Sequence, residues 1–247
     1  MSRRGTGLDL LKSAFMRDTL SRSVLSQAVY CPVTDADSAL ARRPVGWPLS
    51  ALETAAFDRL ASTLRRREWL AGRMAAKRAV SKWLQRQGAD LAASEIEIGN
   101  EPSGRPVCRL PMGATGPEIS ITHAGGLAVC ALSESGPIGV DCEPIAPKTA
   151  GVLALVAGAS ELAAAGHSPE AQTRLWCSKE AVLKLLGLGF SCAPTDVRVE
   201  AGAVALHGDA RRRWEELGRP PIFLAERVVS RCLVVVAHGP AEGGSHG

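Results

Sequence analysis

Gly139-Val140-Asp141-Cys142-Glu143 holds two carboxylates one residue apart, and Trp176-Cys177-Ser178-Lys179-Glu180-Ala181-Val182-Leu183-Lys184 holds a third with a lysine four residues beyond it. Side chains alternate along a strand, so Asp141 and Glu143 share one face while Val140 and Cys142 point into packing. Residues four apart share a stripe on a helix, which puts Glu180 beside Lys184. Hard divalent cations take oxygen ligands, and an adjacent acid/base pair can move a proton. Three carboxylates and a lysine that converge therefore suit metal-assisted phosphate chemistry. Singly these residues are ordinary: Asp141 and Glu143 read as a strand end, and Glu180 with Lys184 as a surface pair contributing ~0.2–0.5 kcal/mol. Together the two segments favour the metal site.

The elements around these residues must belong to a chain of 247 residues, enough for one large domain or two modest ones. Apolar residues make up 46% and charged residues 22%, the balance of a globular protein. Up to Glu134 there are 18 Lys/Arg against 13 Asp/Glu, and beyond it 11 against 12, so the excess positive charge sits in the first half. That asymmetry suits a polyanionic small ligand or an acidic protein partner. Aromatics are only 4%, too few for the stacking platforms of single-strand nucleic-acid binders, and no groove-reading motif is present. The seven cysteines form no Cys-x-x-Cys pair and sit in apolar contexts, implying reduced thiols, no zinc site and a cytoplasmic setting. Ser2-Arg3-Arg4 is followed by charged residues rather than an apolar stretch, so no export leader is expected, and no apolar run is long enough for a bilayer.

Breakers and periodicity give the organisation. Residues 1–30 are expected as an extension, 31–47 as a loop, and 49–87 as helical, beginning at the capped Ser50-Ala51-Leu52-Glu53. Strands are predicted at 96–98, 106–110, 119–122, 127–132 and 138–142, with a boundary at Ser133–Pro137. Helical stretches follow near 160–165 and across Trp176, stopping at Gly187 and Gly189. A hairpin is predicted over 197–206, then strands at 222–226 and 232–237, and a disordered tail from Gly239. Arg211-Arg212-Arg213 reads as a solvated helix face. Trp69…Arg73…Lys77 repeats the spacing of Trp176…Glu180…Lys184, an echo suggesting duplicated halves with Arg73 in place of the carboxylate.

The chain resembles the 4'-phosphopantetheinyl transferases, in particular their larger two-lobed (Sfp-type) class, over roughly residues 40–235. Gly104-Arg105-Pro106 leading to Ser120-Ile121-Thr122-His123 is similar to the family's Gly-Lys-Pro and Asn/Ser-x-Ser-His stretch. Gly139 to Glu143 is similar to Gly-Ile-Asp-x-Glu, and Trp176 to Lys184 to Trp-x-x-Lys-Glu-(Ser/Ala)-x-x-Lys. The resemblance implies transfer of the phosphopantetheine arm of coenzyme A to a serine of an apo acyl or peptidyl carrier protein, giving holo-carrier and adenosine 3',5'-bisphosphate. Fatty acid, polyketide, non-ribosomal peptide and siderophore systems all use such carriers.

It further implies Mg2+ (or Mn2+) on Asp141, Glu143 and Glu180, with Glu180 as base for the carrier serine, directly or through water, and Lys184 offsetting charge on the leaving phosphate. Thr122 and His123 would bind coenzyme A phosphates, with His123 at the 3'-phosphate. Arg105 would replace the usual lysine by the nucleotide, Lys179 would reach the diphosphate, and Arg67 would serve the 3'-phosphate. Thr122 stands where the family has Ser, and Leu188 where a polar residue is common. The expected fold is α+β: two pseudo-symmetric lobes, 1–134 and 135–247, each a small mixed or antiparallel sheet on a long helix, with the active site between them. A monomer with no nucleic-acid or membrane partner is expected, because one chain supplies both walls of the cleft. The competing reading is a non-catalytic carrier- or nucleotide-binding module of the same fold, against which the intact Asp/Glu/Glu/Lys set argues.

Overall fold

The computed structural model describes residues 24–43 and 46–240. In chain order the elements are β1 (Val29–Pro32), α1 (Val33–Ala41), α2 (Ala51–Asp58), α3 (Thr63–Arg86), β2 (Glu97–Asn100), β3 (Pro106–Arg109), β4 (Glu118–Ala124) and β5 (Leu127–Ser133). They continue with β6 (Ile138–Pro144), α4 (Ala150–Val156), α5 (Ala159–Ala165), α6 (Pro169–Leu186), β7 (Val197–Glu200), β8 (Ala203–Leu206), α7 (Gly208–Glu216), β9 (Phe223–Val229) and β10 (Cys232–His238). Two three-stranded sheets, ordered β1-β5-β4 and β6-β10-β9, are wholly antiparallel, as are the hairpins β2–β3 and β7–β8. The fold is α+β. No helix among the described residues is long and apolar enough to cross a membrane.

Each sheet has a helix on one face. Leu70, Ala71, Ala75, Ala76 and Val80 of α3 pack with Cys31, Ile119 and Cys130 of the first sheet. Cys177, Ala181, Val182 and Leu185 of α6 pack with Leu233, Val235 and Ala237 of the second. The opposite sheet faces meet in a shared apolar layer containing Val129, Ala131, Val140, Cys142, Val234 and Val236. All seven cysteines are free and buried, and burial raises every one of their pKa values, so they act as small apolar side chains.

The same buried clasp occurs beside each long helix. Glu53, third residue of α2, closes a capping box with Ser50 and also accepts from Lys77 Nζ (2.6 Å) and Ile98 N–H (3.2 Å). Lys77 donates further to the carbonyls of Ala93 and Ile96. Glu161, third residue of α5, accepts from Gly158 N–H (2.9 Å), Lys179 Nζ (2.9 Å) and Val199 N–H (2.9 Å), and Lys179 donates further to the carbonyls of Pro194 and Val197. Lys77 is thus matched by Lys179, not by Lys184. The Trp69/Trp176 echo is out of register with this correspondence, and Arg73 is not the counterpart of Glu180: it is buried and donates to Asn100 Oδ1 (2.7 Å).

The expected loop over 31–47 holds the end of β1 and all of α1. Its breakers are helix-start residues: Pro32 is the N-cap and Asp35 lies in the first turn, where a carboxylate complements the helix dipole. The expected extension also ends earlier, since Leu25 and Ala28 join the shared apolar layer and Val29 and Tyr30 pair with Cys130 and Val129. Residues 1–23 and the tail over 241–247 lie outside the described residues.

Candidate functional site

β6 lies tightly on α6 because Gly139 has no side chain; a Cβ there would overlap the Ala181 carbonyl oxygen and crowd Leu185 N. Two residues on, Asp141 is buried where α6, β4 and β6 meet. Its Oδ1 accepts from Lys184 Nζ (2.7 Å) and Thr122 Oγ1 (3.1 Å), and Lys184 also donates to Val140 O (3.1 Å). Among the described residues its Oδ2 is buried with no hydrogen-bond partner. A buried carboxylate oxygen without a protein partner calls for a donor or a cation.

Glu180, one turn before Lys184 on α6, has its pKa raised by burial first and then by the Asp141 charge, with Lys184 opposing and Glu143 adding to the rise. The third carboxylate, Glu143, is held by Lys148 Nζ at 3.2 Å. The acidic groups therefore converge enough to feel one another, but they are not assembled as a closed cage: among the described residues no three His, Cys, Asp or Glu side chains are grouped to hold a metal ion. Lysines instead hold Asp141 and Glu143 individually. The unpaired burial of Asp141 Oδ2 among the described residues and the repulsion acting on Glu180 are what a hard cation would relieve. Mg2+ commonly completes its shell with water and substrate phosphate, so this donor set fits it.

The remaining expected residues divide. Arg105 and Lys184 line one cavity of about 220 Å³, together with Gly104, Pro106, Ser120 and Gly187. Arg105 is kept there by Glu118 (2.5 Å), a partner with no sequence signal. His123 is half-exposed at the end of β4, with Nδ1 3.8 Å from Glu68 Oε2. Thr122 is buried and turns its hydroxyl to Asp141. Arg67 is engaged by Asp37 through Nε (2.5 Å) and Nη2 (2.6 Å). Lys179 is not brought to this site: it is 1% exposed and spends its donors on Glu161 and two carbonyls.

The sequence profile of the 4'-phosphopantetheinyl transferase superfamily matches residues 137–217. Holo-[acyl-carrier-protein] synthase of Exiguobacterium sibiricum is 37% identical over 121 residues, covering 49% of this chain and 79% of that protein. The chain belongs to the 4'-phosphopantetheinyl transferase superfamily. The profile's span runs from β6 to α7, so both strand-borne carboxylates and the Glu180–Lys184 turn fall in the segment shared with the superfamily. Arg105, Thr122 and His123 fall outside it. Besides Glu118, one further residue at this transferase-like site has no sequence signal: Lys148. It follows Pro144 and Pro147 in a loop with no periodicity, so no local pattern sets where its side chain lies.

Proposed function

We propose that this protein transfers the 4'-phosphopantetheine arm of coenzyme A to a serine of an apo acyl or peptidyl carrier protein, with Mg2+, in a cleft between pseudo-symmetric lobes at 1–134 and 135–247. The observation that carries the reading is Asp141: buried, held through one oxygen by Lys184 and Thr122, without a partner among the described residues at the other, and beside a Glu180 whose pKa burial raises. Membership of the superfamily and the relative named for acting on acyl carrier protein support the same chemistry.

In this reading the carrier serine oxygen bonds to the phosphorus bearing the pantetheine. The bond from that phosphorus to the adenosine 3',5'-bisphosphate oxygen breaks. Glu180, poised by burial to take a proton, accepts the serine hydroxyl proton directly or through water. Lys184 places its ammonium next to Asp141 and offsets charge on the departing phosphate. Arg105 takes a nucleotide phosphate in the cavity it shares with Lys184. His123 at the rim of β4, and Arg67 once released from Asp37, serve the 3'-phosphate. Asp141, Glu143 and Glu180 would hold the divalent cation, which when bound supplies charge withdrawal from the diphosphate.

The test is to incubate the protein with coenzyme A, Mg2+ and each of several apo-carriers and to weigh the carriers. A mass gain equal to the phosphopantetheine arm, abolished by chelator, is the expected result; no gain on any carrier sinks the reading.

A further inference from the structure

Lys148 belongs to none of the motifs that mark the superfamily, yet its loop is fixed to the site at three points. Ile145 N–H donates to Arg231 O (3.0 Å), Thr173 Oγ1 to Ala146 O (3.4 Å), and Lys148 N–H to Gln172 Oε1 (3.1 Å). The side chain is 17% exposed, with Nζ 3.2 Å from Glu143 Oε2 and 5.6 Å from the Trp176 ring centroid. With Lys184 on Asp141, this gives each strand-borne carboxylate its own ammonium. A carboxylate oxygen that holds an ammonium cannot take a divalent cation at the same point without placing two positive charges in contact.

Resting on the transferase reading above, we infer that Lys148 is an internal counter-ion for Glu143, which it surrenders when a divalent cation binds, and that the freed ammonium then serves the diphosphate of coenzyme A. A lysine suits this exchange: its charge rides on a flexible four-carbon stem, whereas a guanidinium would grip the carboxylate with two bonds. The loop backbone stays anchored while the side chain moves. Metal and coenzyme A binding are then coupled. Each carries charge that the released or displaced lysine must answer, and linkage makes the effect reciprocal.

The experiment is Mn2+ binding followed by electron paramagnetic resonance on the whole protein, with and without coenzyme A. Lys148→Met keeps the apolar stem against Trp176 and removes the charge. It is expected to bind Mn2+ about three- to tenfold more tightly than wild type when coenzyme A is absent. The tightening that coenzyme A produces in wild type should shrink by a similar factor. Lys148→Gln, a second neutral variant, should behave as Lys148→Met, and Lys148→Arg, gripping Glu143 with two bonds, should bind Mn2+ more weakly than wild type. Neutral variants that bind Mn2+ no more tightly than wild type overturn the proposal while leaving the transferase reading intact. A wild type that binds no Mn2+ even with coenzyme A, and modifies no carrier, overturns that reading and the proposal with it.

Discussion

Glu180 carries a carboxylate whose ionisation is opposed by burial, by Asp141 and by Glu143, and favoured by Lys184. A carboxyl whose pKa is raised by folding makes its stabilising contribution below its unfolded value and loses it as pH rises through the folded value. Above that value the charge disfavours the metal-free fold. Glu180→Gln is therefore expected to melt no lower than wild type at pH 8 in chelator, while losing at least ~10²-fold in transfer rate. Transfer at the wild-type rate would remove Glu180 from its role, and a much lower melting temperature would mean that its charge supports the fold. Lys179, its neighbour in sequence, should give the reverse pattern. Lys179→Met leaves Glu161 buried without its ion partner and should cost ~3–5 kcal/mol in urea unfolding, with the KM for coenzyme A unchanged within about twofold. Burial pushes the Glu161 pKa up, but the N–H of Val199, Lys179 and the N–H of Gly158 together hold it below the ordinary value. Its contribution is accordingly full above the ordinary glutamate range near ~4.3 and is lost as pH falls through the lower folded value. Unfolding free energies of wild type and Glu161→Gln should converge over that acid window; a constant gap would refute the linkage.

At the scale of elements, the site depends on how closely β6 approaches α6. Gly139→Ala would place its methyl on the Ala181 carbonyl, in the stretch where α6 carries Glu180. It should cost ~1–3 kcal/mol or more and reduce transfer even though Gly139 touches no substrate. Unchanged thermal melting would show that the strand can shift freely. Much of this arrangement was legible in the sequence. Apolar runs bounded by turn residues predicted β4, β5, β6 and β10 to within a residue or two at most ends, and Ser50 with Glu53 marked a capping box that is present. The four-residue stripe likewise put Glu180 and Lys184 on the face that meets Asp141. Lys179 was assigned to the diphosphate by the resemblance alone, and helix geometry puts it elsewhere. One residue turns a helix by about 100°, which carries Lys179 from the Glu180 face into the core. The α1 segment was hidden because its prolines and aspartates signal breaks anywhere except at a helix start. The Glu143–Lys148 pair was hidden because it is set by loop anchoring to α6 and to the turn between β9 and β10, a long-range condition with no local signature.

Across the whole molecule, the site exists only where the two sheets meet. Thr122 on β4 and Asp141 on β6 share a hydrogen bond, and Ser120 Oγ accepts from Val140 N–H at 3.0 Å, although β4 and β6 belong to different sheets. Behind these bonds lies the apolar layer built jointly from β5, β6 and β10. A half that lost its partner would expose that layer and leave Val140 N–H and Asp141 without their partners on β4. The two sheets should therefore unfold together rather than in turn. Urea titration should give one transition, coincident by tryptophan emission and far-ultraviolet circular dichroism, because Trp83 packs in the first core and Trp214 in the second. Ser120→Ala strands the Val140 N–H in a dry setting and should lower the unfolding free energy by ~1–3 kcal/mol without splitting the transition. It should also lower transfer, since β4 carries the threonine that holds Asp141. Two separated transitions, or a Ser120→Ala protein with full stability and full transfer, would mean that the sheets stand independently and that the buried carboxylate is positioned by α6 alone.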